Sequence, residues 1–312
     1  VIPLSLLLWL AQTGIDSEYA RLLDKATQLI RTGQLEPAIR ELKRAASLQP
    51  RSPSIHLLLG QVYLNMGTPE LVAEAKAEFQ QAREYDPALV LASFYIAKID
   101  LDLGRISHAE RELKQALQKK PGEHYLLAMM GEVRRRQGKV EEAIELTTKA
   151  LTAGPEALPV HYYRALAWWD KKEEALALDD LKRVLGSPFA TAEAHLAMGL
   201  IHLHFNRLHE AETSLRKAIA MGPRHAEARL RLAQVLRRQS RYREALEELA
   251  AVEGAPQLSS PYFQKLLADA AFENGLIRAG QGDAAGAKAW FERAIEIDPG
   301  HEDARARLQR SP

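Results

Sequence analysis

Apolar and small residues recur along this chain at an interval far longer than a helical turn. Alanines stand at Ala38, Ala75, Ala109, Ala143, Ala177, Ala211, Ala245 and Ala287, and five successive intervals are 34 residues. Four residues after each comes Leu42, Phe79, Leu113, Thr147, Leu181, Leu215, Leu249 or Phe291, and three further on a small residue such as Ala45, Ala82 or Ala294. Spacings of four and three keep these side chains on one face of a helix. Twelve residues after the alanine stands Pro50, Pro87, Pro121, Pro155, Pro223 or Pro299, with Pro188 and Pro256 one residue early. Proline ends the helix, because its ring clashes with the preceding turn and it withholds a donor. Twelve residues before the alanine lies Ala26, Ala97, Gly131, Ala165, Gly199, Ala233 or Gly275, and in the second unit of the pattern Gly60 is displaced by a three-residue insertion. A small residue there lets a preceding helix approach closely, and Gly33, Gly67, Gly104, Gly138 and Gly282 supply the turn between the two. The pattern predicts antiparallel helix pairs, about sixteen helices in all, followed by a capping helix.

This register resembles the tetratricopeptide repeat, whose pattern of a large residue, Leu-Gly, Tyr, then Ala, an aromatic or Leu, and Pro is matched by "HLLLGQVYLNMG", "HLAMGLIHLHFN" and "AGAKAWFERAIEIDP". Eight repeats are expected, at residues 19–52, 53–89, 90–123, 124–157, 158–191, 192–225, 226–259 and 260–300, within one solenoid over residues 16–312. The resemblance implies an all-α fold: an α-solenoid of tandem helix-turn-helix repeats forming a superhelix. Lys25, Arg164 and Asn274 depart from the family's usual Leu, and the first repeat lacks a large aromatic. "HEDARARLQR", within residues 301–312, reads as the polar capping helix that such arrays need. The longer stretch before the last repeat is expected to extend its first helix from Pro261, with Ser260 as N-cap.

The stretch "HYYRALAWWD" gathers aromatic side chains in a chain that is only 6% aromatic. At about 100° per residue, His161, Ala165 and Trp168 fall on the core face and Tyr162, Leu166 and Trp169 a quarter turn away, while Tyr163 and Asp170 point farther round. In the family that quarter-turn face lines the groove where ligands lie. The resemblance therefore makes Phe94, Lys98, Arg135, Arg136, Tyr162, Leu166, Trp169, Leu196, Leu200, His204, Arg237 and Arg238 candidates for partner contact. An apolar strip over the fifth and sixth repeats, bracketed by arginines, would take a protein or peptide segment with an apolar centre and an acidic flank. The competing reading is that adjacent helices cover the strip and water solvates the arginines.

Composition narrows the functions. Forty-two Lys plus Arg against 41 Asp plus Glu leave a net charge of +1, so no overall field draws nucleic acid. The absence of cysteine excludes thiolate catalysis, disulfides and Cys-ligated metal. No phosphate loop, G-x-S-x-G or H-E-x-x-H is present. His56, His161 and His195 occupy a packing position of the repeat, and His202 and His204 lie about 200° apart on a helix, unable to share an ion. No cofactor or metal is expected. The Lys, Asn and Arg set with which chaperone-binding members hold a terminal carboxylate is replaced by Leu23, Thr27, Leu58, Leu91 and Tyr95. The expectation is a non-catalytic interaction scaffold.

The alternative is self-assembly into an oligomer or filament through residues 1–15, whose apolar run from Val1 to Ala11 would dock on a neighbour. The run is too short to span a bilayer and resembles the apolar region of a secretory signal, with "LAQTG" offering small residues for cleavage. Export to a periplasmic or extracellular space is expected ahead of a cytoplasmic location, and membrane association only through this segment.

Overall fold

A computed structural model describes residues 17–66, 68–188, 190–222, 225–254 and 261–310. Among the described residues there are seventeen α-helices and no strand. They pair in the order of the repeats: α1 Ser17–Arg31 with α2 Leu35–Leu48, α3 Pro53–Met66 with α4 Pro69–Tyr85, α5 Val90–Asp102 with α6 Ile106–Lys119, and α7 His124–Arg136 with α8 Val140–Ala153. Next come α9 Leu158–Asp170 and α10 Glu174–Leu185, α11 Ala192–His204 and α12 Leu208–Met221, and α13 Ala226–Arg238 and α14 Tyr242–Glu253. The long α15 Pro261–Gly280 precedes α16 Ala284–Ile297, and α17 Glu302–Arg310 closes the series. The expected extension from Pro261 and the capping helix are both present. The apolar segment 1–15, Gly67, Pro223, Pro256 and the expected N-cap Ser260 lie outside the described residues.

The chain divides into two compact units, Val1–Tyr163 and Arg164–Pro312. In unit one, Tyr19, Leu42, Ile55, Leu58 and Phe79 form the centre of a core that runs to Ile99. In unit two, Leu215, Leu230, Leu236, Leu249 and Ile277 form one cluster, and Phe291 with Ala271, Ala294 and Ala304 seats the last helix. The eight register alanines are all buried. The residue four places on fills the space left by the small residue of the partner helix. A methyl group added at Gly60 would come within 2.6 Å of the Phe79 ring, at Gly199 within 2.7 Å of Leu215, and at Gly275 within 2.5 Å of Phe291. The periodic small and large residues are thus two halves of one contact, and close packing fixes both.

A second register is polar. The residue three places after the alanine is acidic in five repeats, and each acid meets a partner on the first helix of its own repeat. Lys25 donates to Glu41 at 2.7 Å, His56 Nδ1 lies 2.6 Å from Glu78, Ser93 donates to Glu112 at 2.8 Å, and Arg229 to Glu248 at 2.5 Å. Arg164 grips Asp180 with two bonds of 2.8 Å. This accounts for two of the departures from the family pattern: Lys25 and Arg164 replace an apolar residue where an acid stands sixteen positions on. For the third, Asn274, the side-chain oxygen is buried without a hydrogen bond among the described residues, and nothing in the structure explains the residue.

The turns within the pairs need a left-handed residue. Gly104 and Gly138 supply it with φ of 73° and 77°, whereas Lys172, Asn206 and Ser240 adopt φ of 67°, 56° and 61° at the same repeat position. That conformation costs a side-chain-bearing residue about 1–2 kcal/mol, less for Asn. Glycine also loses more chain entropy on folding, which offsets part of the gain. Lys172→Gly is therefore expected to stabilise unit two by up to about 1 kcal/mol, and Asn206→Gly by less. Thermal melting checks this; a lower melting temperature for Lys172→Gly would contradict it.

Candidate protein-binding face

The expected contact residues sit on the first helices of the third to seventh repeats, and each unit carries its own part of them. In unit one the centre is Phe94 on α5, which is buried rather than available for contact. Its ring stands edge-on to Tyr95, Tyr125 and Tyr163 at 5.3, 6.1 and 6.4 Å. Tyr162 is partly exposed and lies edge-on to Tyr163 at 5.3 Å. Tyr163 is buried, contrary to the wheel that pointed it away from the core, and Trp168, assigned to the core, is partly exposed. A wheel drawn against one partner helix omits the other first helices of the array, and Phe94 on α5 is one of the groups that meet Tyr163.

The unit-one charges have partners within the chain. Glu132, buried on α7, accepts two bonds from Arg135, at 2.7 and 2.9 Å, and one from Arg136 at 2.7 Å. Arg136 also donates to the Leu101 carbonyl at 2.6 Å. Lys98 pairs with Asp102 at 2.8 Å.

In unit two the apolar strip splits. Leu196 is buried with Leu203 and Leu230, and Leu200 packs against the same cluster, so α13 covers this part of the strip. Leu166 and Trp169 remain partly exposed. Trp169, His204 and Phe205 form three rings, each edge-on to the others, with centroids 5.0, 6.2 and 5.1 Å apart. His204 and Phe205 are exposed. Arg207 lies 5.5 Å over the Phe205 ring and is held by Glu174 at 2.7 Å. Arg237 is bonded to buried Glu273 at 2.7 Å. Arg238 is exposed and donates to the Leu203 carbonyl at 3.3 Å, the bond that Arg136 makes to Leu101 in unit one. Both arginines thus satisfy a terminal carbonyl of the preceding first helix.

Tyr125 and Phe205 were missed in the sequence because they stand outside the repeat positions taken to line the face. A signal was there: both are aromatic in a chain with few rings, and Phe205 adjoins the candidate His204. The histidines do other work. His161 is buried with Nε2 3.0 Å from the Pro155 carbonyl, as His56 lies 3.0 Å from that of Pro50. Burial lowers the pKa of His195 and His202. Among the described residues no group of three or more His, Asp or Glu is placed to hold a metal ion, and no helix is long and apolar enough to cross a membrane.

The fold and this face define a tandem-repeat helical scaffold. A tetratricopeptide-repeat model matches residues 128–193 and 196–259, a TPR-repeat model residues 28–67, and a further tetratricopeptide-repeat model residues 268–301. These segments amount to about two thirds of the chain, and the protein belongs to the tetratricopeptide-repeat family. Its fold is that of a protein-interaction scaffold, a class that is generally non-catalytic.

No curated protein matches the chain in sequence. Among solved structures it is similar to the APC/C hetero-tetramer Cut9-Hcn1, with 14% identity and a TM-score of 0.70, over 97% of this chain and 57% of that one. It is also similar to the human IFIT1 dimer with PPP-AAAA, at 16% identity and a TM-score of 0.61, over 89% and 73% of the two chains. For pilF of Pseudomonas aeruginosa the identity is 16% and the TM-score 0.55, over 72% and 98%. At these identities the likeness shows the fold alone.

Proposed function

We propose that this protein is a non-catalytic scaffold that receives a segment of a partner protein on the exposed aromatic side chains of its first helices. The observation that carries the reading is the ring cluster of Trp169, His204 and Phe205, left at the surface of unit two while neighbouring leucines are buried. Rings held edge-on by one another lose little freedom on binding, and Trp with an adjoining Arg is a common composition for an interface centre. An apolar partner centre fits these rings. An acidic flank has less to meet than the sequence implied, because Arg237 already pairs with buried Glu273 and Arg135 and Arg136 share the one buried Glu132. Exposed Arg238 is the member of that set best placed to pair with one.

A photo-reactive residue in place of His204 should capture the partner, whereas the same group at exposed Lys217 on α12 should not. Trp169→Ala, verified as folded, should weaken binding by about 2 kcal/mol or more if the ring lies at the centre of the contact. Equal capture at both positions would place the interaction elsewhere.

A further inference from the structure

The five acids of the polar register do not meet the same kind of partner. Lys25, Arg164 and Arg229 are cations of the Lys and Arg type and Ser93 is a neutral hydroxyl, whereas Glu78 meets His56, the side-chain type that changes charge near neutral pH. Nδ1 of His56 lies 2.6 Å from Glu78 Oε2 on α4, and Nε2 lies 3.0 Å from the Pro50 carbonyl in the turn that ends the first repeat. Both neighbours are acceptors. A neutral imidazole has one N–H and satisfies only one of them, while the imidazolium has two and satisfies both. The ring stands tilted against Tyr85 at 5.3 Å and its side chain is 14% exposed, which limits the water that could replace a missing bond.

We infer that His56 makes the join between the first and second repeats proton-dependent: as the imidazolium it ties the turn at Pro50 to α4, and loss of the proton undoes one of the two ties. The turn is also fixed to the first repeat, because the Tyr19 hydroxyl on α1 lies 2.8 Å from Ser52 Oγ. Contacts thus run from α1 through the turn and His56 to α4. Glu78 is the charge that faces the ring. α3 itself carries no Asp, Glu, Lys or Arg. On α2, Glu41 is held by Lys25 and Arg44, and Arg40 and Lys43 are exposed. On α4, Lys76 pairs with Asp100 and Arg83 with Glu112 of the next repeat, while Glu74 and Glu84, like Arg51 in the turn, are exposed. The Glu78 hydrogen bond raises the pKa of His56 above the ordinary 6.5 against the opposing effect of burial, and the Pro50 carbonyl adds to the rise. With the folded value above the unfolded one, the stabilisation is complete below about pH 6.5 and is lost as pH rises through the folded value. The fifth repeat supplies the contrast. His161 keeps the contact to a proline carbonyl, that of Pro155 at 3.0 Å, but the acid of its repeat, Asp180, accepts the Arg164 fork.

The test is amide hydrogen exchange of the full chain, read by mass spectrometry at about pH 6 and about pH 8.5 and corrected for the intrinsic exchange rate at each pH. Protection of α1 to α4 is expected to fall by about threefold or more at the higher pH, the order of effect of one charge-assisted hydrogen bond. Glu78→Gln keeps the shape of the side chain and removes its charge, so it should abolish most of that difference. In an NMR titration of the histidine rings the same substitution should bring His56 down toward its ordinary value. His56→Phe keeps a ring against Tyr85 and should make the protection of these helices insensitive to pH. Equal corrected protection of the parent at the two pH values, or a difference retained in full by Glu78→Gln, overturns the inference. Should either variant fail to fold, the ring titration of the parent decides: a His56 that titrates at or below 6.5 overturns it as well.

Discussion

Ala143→Asp should destabilise unit one by about 4–5 kcal/mol or more, the range in which a single substitution points to one dominant cause. Ala143 is fully buried on α8, where it meets α7. The approach of the two helices is tight: a methyl added at Gly131 would lie 3.2 Å from the Ala143 carbonyl and 2.8 Å from Thr147. An aspartate side chain has little room there. It must either stay ionised without water or take up a proton, and both outcomes cost several kcal/mol. Thr148→Asp, on the exposed side of the same helix, adds the same charge and should change stability by less than about 0.5 kcal/mol. Because each repeat of such an array contacts mainly its neighbours, the loss should appear first as faster hydrogen exchange in α7 and α8. Unchanged melting of Ala143→Asp would mean that the 34-residue register had been misread.

That register was the most legible property of the chain, for a physical reason. A small residue and a large residue facing each other across a helix pair leave almost no alternative, so the repeat writes them at fixed positions, as with Gly60 and Phe79 or Gly275 and Phe291. Features that depend on a third helix were harder to read. Tyr163 was sent outward by a wheel that knew only its own pair, and Phe94 two repeats earlier draws it in. Leu196 looked available until α13 was laid on it. The arginines looked like a grip for a partner, although Arg135 and Arg136 stand three and four residues after Glu132 on the same helix, a spacing at which side chains pair. The left-handed turn residues Lys172, Asn206 and Ser240 were, by contrast, readable in principle: they stand where other repeats have glycine, and position outweighs propensity there.

Arg164→Ala should cost unit two about 3–5 kcal/mol, the range for removing one partner of a buried ion pair. The Asp180 side chain is 2% exposed, and both its oxygens accept from the Arg164 fork. Without that fork the buried carboxylate loses the two charge-assisted bonds that offset its burial. Lys25 and Glu41 stand in the same register in the first repeat, yet the Lys25 side chain is 60% exposed, and solvent makes that pair weak. Lys25→Ala should accordingly cost less than about 1 kcal/mol. In the fourth repeat the same two positions hold apolar residues, buried Met130 and half-buried Leu146. Arg164→Met combined with Asp180→Leu should therefore recover most of the stability that either single change removes, since an apolar pair of similar volume often equals a buried ion pair. A double-mutant cycle in denaturant reads the coupling directly. Additive costs would mean that the two side chains act separately, and that the acid sixteen residues downstream is not what permits an arginine in this helix interface.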